Sequence, residues 1–234
     1  MRNKRNYLIA LSLACIIGTS ISSNAINAKA EVDGDLSIEE GGKEYILTEE
    51  DALLDQEKLE EDVTVPFATG DFNINFNMNC TLQKNGYYCG PATVKNVLQY
   101  INSASETQNF YAGKLGTTSD GTDMTKIPAV LNKYQSRCEY VYKEFSDLST
   151  WKSRVEKDTK KYVPVVLDIK SDTDNWRYST SGHFLCTGGY IYNENDTDYV
   201  FICDPHPTHG GVYKVSAKKA YTVNRAHFRS AMIW

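Results

Sequence analysis

An α+β domain is what this sequence predicts, with helices first and a mostly antiparallel sheet after them. Three observations lead there. Apolar residues recur at helical spacing between Val94 and Tyr134, and Val-rich runs separated by turn residues follow from Tyr162 onward. The span 67–234 is also a comfortable single-domain length, and no internal repeat interrupts it.

The elements can be justified in chain order. Residues 1–30 contain no Asp or Glu, open with Arg2, Lys4 and Arg5, and run apolar from Tyr7 to Ile17 before Ser, Asn and Ala, which is the pattern of a secretory signal peptide. The apolar stretch is short of the ~20 residues that a membrane span needs, so an anchoring helix is the weaker reading. Cys15 lies inside that run rather than at its end and is read as a small apolar residue, not a lipid-attachment site. Residues 31–62 hold fourteen acids against Lys43 and Lys58, and such a segment repels itself and does not fold alone. The span 31–66 is read as an acidic propeptide or linker. Gly41-Gly42 within it is read as a chance pair rather than a self-processing site.

After Cys89-Gly90-Pro91, the spacing of Val94, Val97, Leu98 and Ile101 predicts an amphipathic helix that places Cys89 at its N-terminus, with Pro91 in the first turn. Met124, Ile127, Leu131 and Tyr134 predict a second helix whose true start is near Pro128. A third runs from Ser149-Thr150 through Trp151 and Val155. Strands are expected at Tyr162–Ile169, His183–Tyr192, Tyr199–Asp204 and Val212–Val215, with turns at Asn193–Asp198 and His209-Gly210-Gly211. His227 is placed in a terminal helical pattern with Phe228 and Met232, at the surface or in packing.

Charge must be read by segment. The formal net charge is −5, but residues from 63 onward are mildly basic once the signal and the acidic stretch are set aside. No polybasic excess argues for a nucleic-acid partner, and the opposite signs predict that the acidic segment docks on the domain.

The chemistry is concentrated in Gln83-Lys84-Asn85-Gly86-Tyr87-Tyr88-Cys89-Gly90-Pro91-Ala92, Ser181-Gly182-His183-Phe184 and Cys203-Asp204-Pro205. A helix dipole favours the thiolate of a cysteine at its start. A histidine on a facing strand can take the thiol proton, and an acid on its other ring nitrogen fixes the tautomer. An amide six residues before the cysteine can join the Cys89 backbone N–H in holding an oxyanion. If the two long strands pair with residue numbers summing to 389, His183 and Asp204 share one face and Cys186 lies opposite Cys203 on the reverse face.

At these residues the sequence resembles the C39-like cysteine peptidases, relatives of the bacteriocin-leader peptidases with a papain-like fold. The resemblance rests on Gln-x5-Cys-Gly-Pro-Ala at 83–92, Gly-His-Phe at 182–184 leading into Thr187-Gly188-Gly189-Tyr190, and Asp204-Pro205, and it spans roughly 72–234. It implies Cys89 as nucleophile, His183 as general base then acid, Asp204 as orienter and Gln83 as oxyanion donor. Transporter-linked members carry membrane spans and an ATPase that this sequence does not show, so their double-glycine leader substrate is not carried over.

The expectation is a secreted cysteine peptidase acting on a peptide or protein through a Cys89 acyl-enzyme, without a cofactor or metal. A transglutaminase-like acyltransferase using the same triad and a silent binding module on the same fold are the rivals. Cys203, Asp204, His206 and His209 form a compact group that could ligate zinc, but Pro205 and Pro207 stiffen it and no second cluster completes the ligand set. Cys80, Cys138, Cys186 and Cys203 are an even number that could form two disulfides and leave Cys89 free, with pairing left open.

Overall fold

The structure is a computed structural model that describes residues 53, 54, 56–58 and 72–234. The signal peptide read at 1–30, Gly41-Gly42 and most of the acidic stretch lie outside the described residues. In chain order the elements are β1 (Asn73–Asn75), α1 (Cys89–Asn102), α2 (Gln108–Leu115), a 3-10 turn (Met124–Lys126) leading into α3 (Ile127–Tyr134), β2 (Tyr142–Glu144), α4 (Leu148–Lys160), β3 (Val166–Ser171), β4 (Thr180–Glu194), β5 (Thr197–Asp204), β6 (Gly211–Ser216), α5 (Ala217–Ala226) and β7 (Ala231–Ile233).

The strands form one sheet in the order β2-β7-β3-β4-β5-β6, with β1 added alongside β4, and every pairing is antiparallel. Alternation along the central strands divides the core in two. Val166, Phe184, Cys186 and Cys203 pack under α1–α3 with Val94, Val97, Leu98, Leu115, Ile127 and Leu131. Leu167, Leu185, Val200 and Ile202 point the other way, onto Trp151 and Val155 of α4 and Ala220 and Val223 of α5. Buried Asn224 knits that second layer: its Oδ1 accepts from Trp151 Nε1 at 2.9 Å, and its Nδ2 donates to Asp168 O and Ala231 O at 2.7 and 2.9 Å.

The three expected helices are present, and Pro128 occupies the first turn of α3. Two expectations are corrected. Tyr162 is not in a strand: it adopts φ 58° in the turn after α4, and β3 begins only at Val166. The terminal helix ends at Ala226, because His227 has extended backbone and Met232 belongs to β7. His227 is buried, with Nδ1 3.4 Å from Asp168 Oδ2. Helix α2 leaves no periodic signal in the sequence, because its apolar residues make no stripe at helical spacing; Thr107, whose side chain accepts from Phe110 N, caps its start.

The register of the long hairpin carries the site. Cys186 pairs with Cys203 and Thr187 with Ile202, the expected sum of 389, but beyond a bulge Gly189 pairs with Phe201. That extra residue reverses the facing of β4, so Cys186 packs under α1 while Tyr190 packs under α4. Gly189 adopts φ +135°, and a Cβ there would collide with the Ile74 carbonyl oxygen of β1.

Part of the acidic segment touches this body. Lys58 is buried, donating to Glu139 O at 3.0 Å, 3.4 Å from Asp158 Oδ2 and 4.6 Å from the centre of the Trp234 ring. Leu54 packs beside it on the second core layer.

Gly189→Ala is expected to lower stability by about 2–4 kcal/mol, since backbone strain and a backbone collision act together. Urea denaturation of the two proteins measures it, and an unchanged midpoint would refute the account of the bulge.

Candidate active site

The segment before α1 is fixed by two buried amides. Asn96 of α1 accepts from Thr81 N at 2.9 Å and donates to Thr81 O at 3.1 Å. Gln108, at the start of α2, accepts from Lys84 N at 3.0 Å and donates to Leu82 O at 2.7 Å. Between them Gln83 N donates to Pro205 O at 2.7 Å, which holds this segment against the end of β5. Neither amide stands out in the sequence, because a clamp between distant segments leaves no local pattern.

Cys89 is the first residue of α1, and Tyr88 in the capping position makes no side-chain capping bond. The first-turn N–H groups are therefore not taken by a cap, which leaves the positive end of the helix dipole at the sulfur. Helix α1 is seated on β4 by Thr93, whose Oγ1 donates to Phe184 O, next to His183, at 3.0 Å. Gly90 allows the close approach to the 117–122 loop, because a Cβ there would collide with the Thr122 side chain.

His183 and Asp204 are almost wholly buried, and Nε2 lies 2.9 Å from Asp204 Oδ1. The other ring nitrogen, Nδ1, is left for Cys89, whose sulfur lies near enough to raise the His183 pKa. Thiol, imidazole and carboxylate thus stand in line. Asp204 Oδ1 also accepts from His206 N at 2.9 Å, while Oδ2 accepts from Tyr178 and Tyr213 hydroxyls at 2.8 and 2.6 Å. Strand alternation points to Tyr213, since it pairs with Ile202, two residues before Asp204. Tyr178 lies outside any strand and gives no such signal.

These contacts set the charges. Burial alone would push the His183 pKa down, but the Asp204 carboxylate, by charge and by hydrogen bond, together with the Cys89 sulfur, outweighs it and raises the pKa to about 10. Burial opposes the charge on Asp204 as well; His183 and the Tyr213 and His206 donors overcome it and hold its pKa below the usual carboxylate range. The resulting state is a buried imidazolium–carboxylate pair.

Gln83 is buried beside the site, with Nε2 donating to Asn85 O at 2.6 Å. That bond fixes the amide orientation, because a flipped amide would set two oxygens against each other. One N–H of Nε2 remains beyond it. Tyr87 and Tyr88 meet edge to face at 5.3 Å next to Cys89. His206 uses Nδ1 to accept from Thr208 N and His209 N at 3.2 and 3.0 Å, so the 206–209 turn closes on an imidazole, and among the described residues no group of three or more such side chains could hold a metal. Cys80, Cys89, Cys138, Cys186 and Cys203 are free thiols.

A helix that begins with a cysteine and packs on an antiparallel sheet bearing a histidine–carboxylate pair is a papain-like arrangement. The family model of the Peptidase C39 like family matches residues 75–229, and the chain belongs to that family. Among solved structures it is similar to the peptidase domain of Streptococcus ComA, a bi-functional ABC transporter involved in a quorum-sensing pathway. That domain is 15% identical with a TM-score of 0.47, over 68% of this chain and 97% of that one. It is also similar to a double glycine motif protease from an AMS/PCAT transporter in complex with its leader peptide, 14% identical with a TM-score of 0.46, over 69% of this chain and 96% of that one. No curated protein matches the chain.

The raised His183 pKa gives stability that is complete below its unfolded value of about 6.5 and lost as pH rises through about 10. The lowered Asp204 pKa gives stability present above about pH 4 and lost as pH falls through its folded value. The stability gap between this protein and Asp204→Asn is therefore expected to be widest between about pH 4 and 6.5 and to shrink toward pH 10. Guanidinium denaturation across that range measures it, and a gap independent of pH would contradict the buried ion pair.

Proposed function

We propose that this protein is a cysteine peptidase that hydrolyses peptide bonds through a Cys89 acyl-enzyme. The observation that carries the reading is the buried His183 imidazole, 2.9 Å from Asp204 and near enough to the sulfur of Cys89, at the start of a helix with no side-chain cap, for that sulfur to raise its pKa. Membership of a peptidase family supports it.

In this mechanism the Cys89 sulfur attacks the scissile carbonyl carbon. The carbonyl oxygen takes up the negative charge and is held by the Cys89 backbone N–H and the remaining Gln83 amide N–H. His183, carrying the proton taken from the thiol, delivers it to the leaving amine as the C–N bond breaks and a thioester forms. A water molecule then gives His183 a proton as it attacks the thioester. That proton returns to the sulfur when the acid product leaves. Asp204, held by Tyr178 and Tyr213, keeps the ring aligned throughout.

The signal peptide read at residues 1–30 makes the enzyme an exported one. The acidic segment docks on the domain through Lys58, one of its two bases, in the contact with Glu139, Asp158 and Trp234. Among the described residues no helix is long and apolar enough to cross a membrane.

Cys89→Ala should abolish cleavage of a denatured protein substrate and remove the iodoacetamide label from position 89 of the folded protein. Gln83→Ala should retain labelling but lower kcat by about 100-fold, the usual loss of one oxyanion donor. Peptide release measured by mass spectrometry, beside the labelling stoichiometry, reads both. A folded protein whose Cys89 resists alkylation and which cleaves nothing would leave the silent-module reading standing.

A further inference from the structure

Three thiols, Cys80, Cys186 and Cys203, gather beside Asp204 in the core layer under α1, and the mechanism uses none of them. Cys203 is in the middle. It faces Cys186 across the β4–β5 pair, the Cys186 Sγ donates to the Cys203 carbonyl oxygen at 3.9 Å, and both Cys186 and Cys80 lie near enough to its thiol to move its pKa. Cys80 arrives from the segment before α1, and its Sγ donates to Asp204 O at 3.1 Å, so the side chain lies along the end of β5. Asn96, 3.7 Å from the Cys80 sulfur, holds it there. Of the three, Cys186 and Cys203 are fully buried, whereas Cys80 is partly exposed.

We propose that Cys80 and Cys203 are a redox pair that closes to a disulfide by exchange with a small-molecule disulfide such as oxidised glutathione. Cys80 is the entry point because it is the member that solvent reaches. Its sulfur attacks one sulfur of the small disulfide, whose S–S bond breaks, and the first small thiol leaves with the proton that Cys80 gave up. Cys203 then attacks the Cys80 sulfur of the mixed disulfide, and the second small thiol leaves with the Cys203 proton. Two protein thiols are oxidised and one small disulfide is reduced to two thiols.

The place of the bond gives it a consequence. Cys80 is three residues before Gln83, and Cys203 immediately precedes Asp204, so the bridge would fasten the Gln83 segment to the strand end that carries the carboxylate. In the thiol form those two parts are joined by weaker links, the Gln83 N to Pro205 O bond and the Cys80 contact to Asp204 O. The contact with Cys203 and burial both push the Cys80 thiol pKa far up, so thiolate is scarce and closure is slow. The pair is a lock rather than a rapid sensor. Its effect on the site rests on the peptidase reading; the disulfide itself does not.

The test uses the full chain carrying Cys89→Ala, so that the active-site thiol takes no part and failure of the peptidase reading leaves the result unaffected. The protein is held for hours in oxidised glutathione, alkylated after denaturation and digested without reduction. A peptide linking Cys80 to Cys203 is expected, with Cys138 and Cys186 alkylated. The thermal midpoint should rise by about 5–10 °C over the reduced protein, the scale expected for closing so long a loop. Cys80→Ser should lose the rise and Cys186→Ser should keep it. Glutathione trapped on Cys80 alone, a Cys186–Cys203 link, or no link at all would overturn the proposal. Because the linkage is mapped with both cysteines of the pair in place, the outcome stands even if a Cys203 variant fails to fold.

Discussion

One buried carboxylate governs this site. Asp204 lies at the end of β5, fully enclosed, where an ionised acid without partners would not persist. Four donors from separate parts of the chain make it tenable: the His183 ring from β4, the Tyr178 hydroxyl from the loop before β4, the Tyr213 hydroxyl from β6 and the backbone N–H of His206. Each donor is aimed by its own strand or turn. The charge therefore holds three strands and two loops in register, and it makes the imidazolium the favoured form of His183.

The remaining devices bring a thiol to that ring. Helix α1 presents Cys89 at its uncapped start and is seated on β4 through Thr93. The chain leading into it is held at both ends by Asn96 and Gln108, which places Gln83 at the end of β5. Cys89 belongs to the core layer under α1, while Asp204 follows Val200 and Ile202 on the opposite face of β5. The site is built where the two layers meet. The bulge at Gly188–Gly189 lies farther along β4 and reverses the facing of its distal half, so that half serves β1 and α4 without disturbing His183.

Charge plays a second part at a distance. The acidic stretch was expected to dock through its many carboxylates, yet the contact the structure describes is made by a base, Lys58, enclosed by a carboxylate, a backbone carbonyl and an indole face. Burying one cation against a shaped pocket is specific in a way that diffuse attraction between exposed acids and bases, screened by salt, is not.

Much of this was legible in the chain alone. Helical spacing from Val94 to Ile101 put Cys89 at a helix start, and strand parity put His183 and Asp204 on one face, because both signals depend on neighbours a few residues apart. Local signals ended there. Tyr178, Asn96 and Gln108 act across gaps of 26, 15 and 24 residues, and no period records such contacts. The C-terminal residues read as helix because Phe228 and Met232 are spaced like one, yet pairing with Leu167 drew Met232 into a strand and left Phe228 in the turn before it. Sequence determined the residues of the site and their order along the chain; only tertiary structure decided which donors enclose Asp204, since burying a charge is settled by every segment that reaches it.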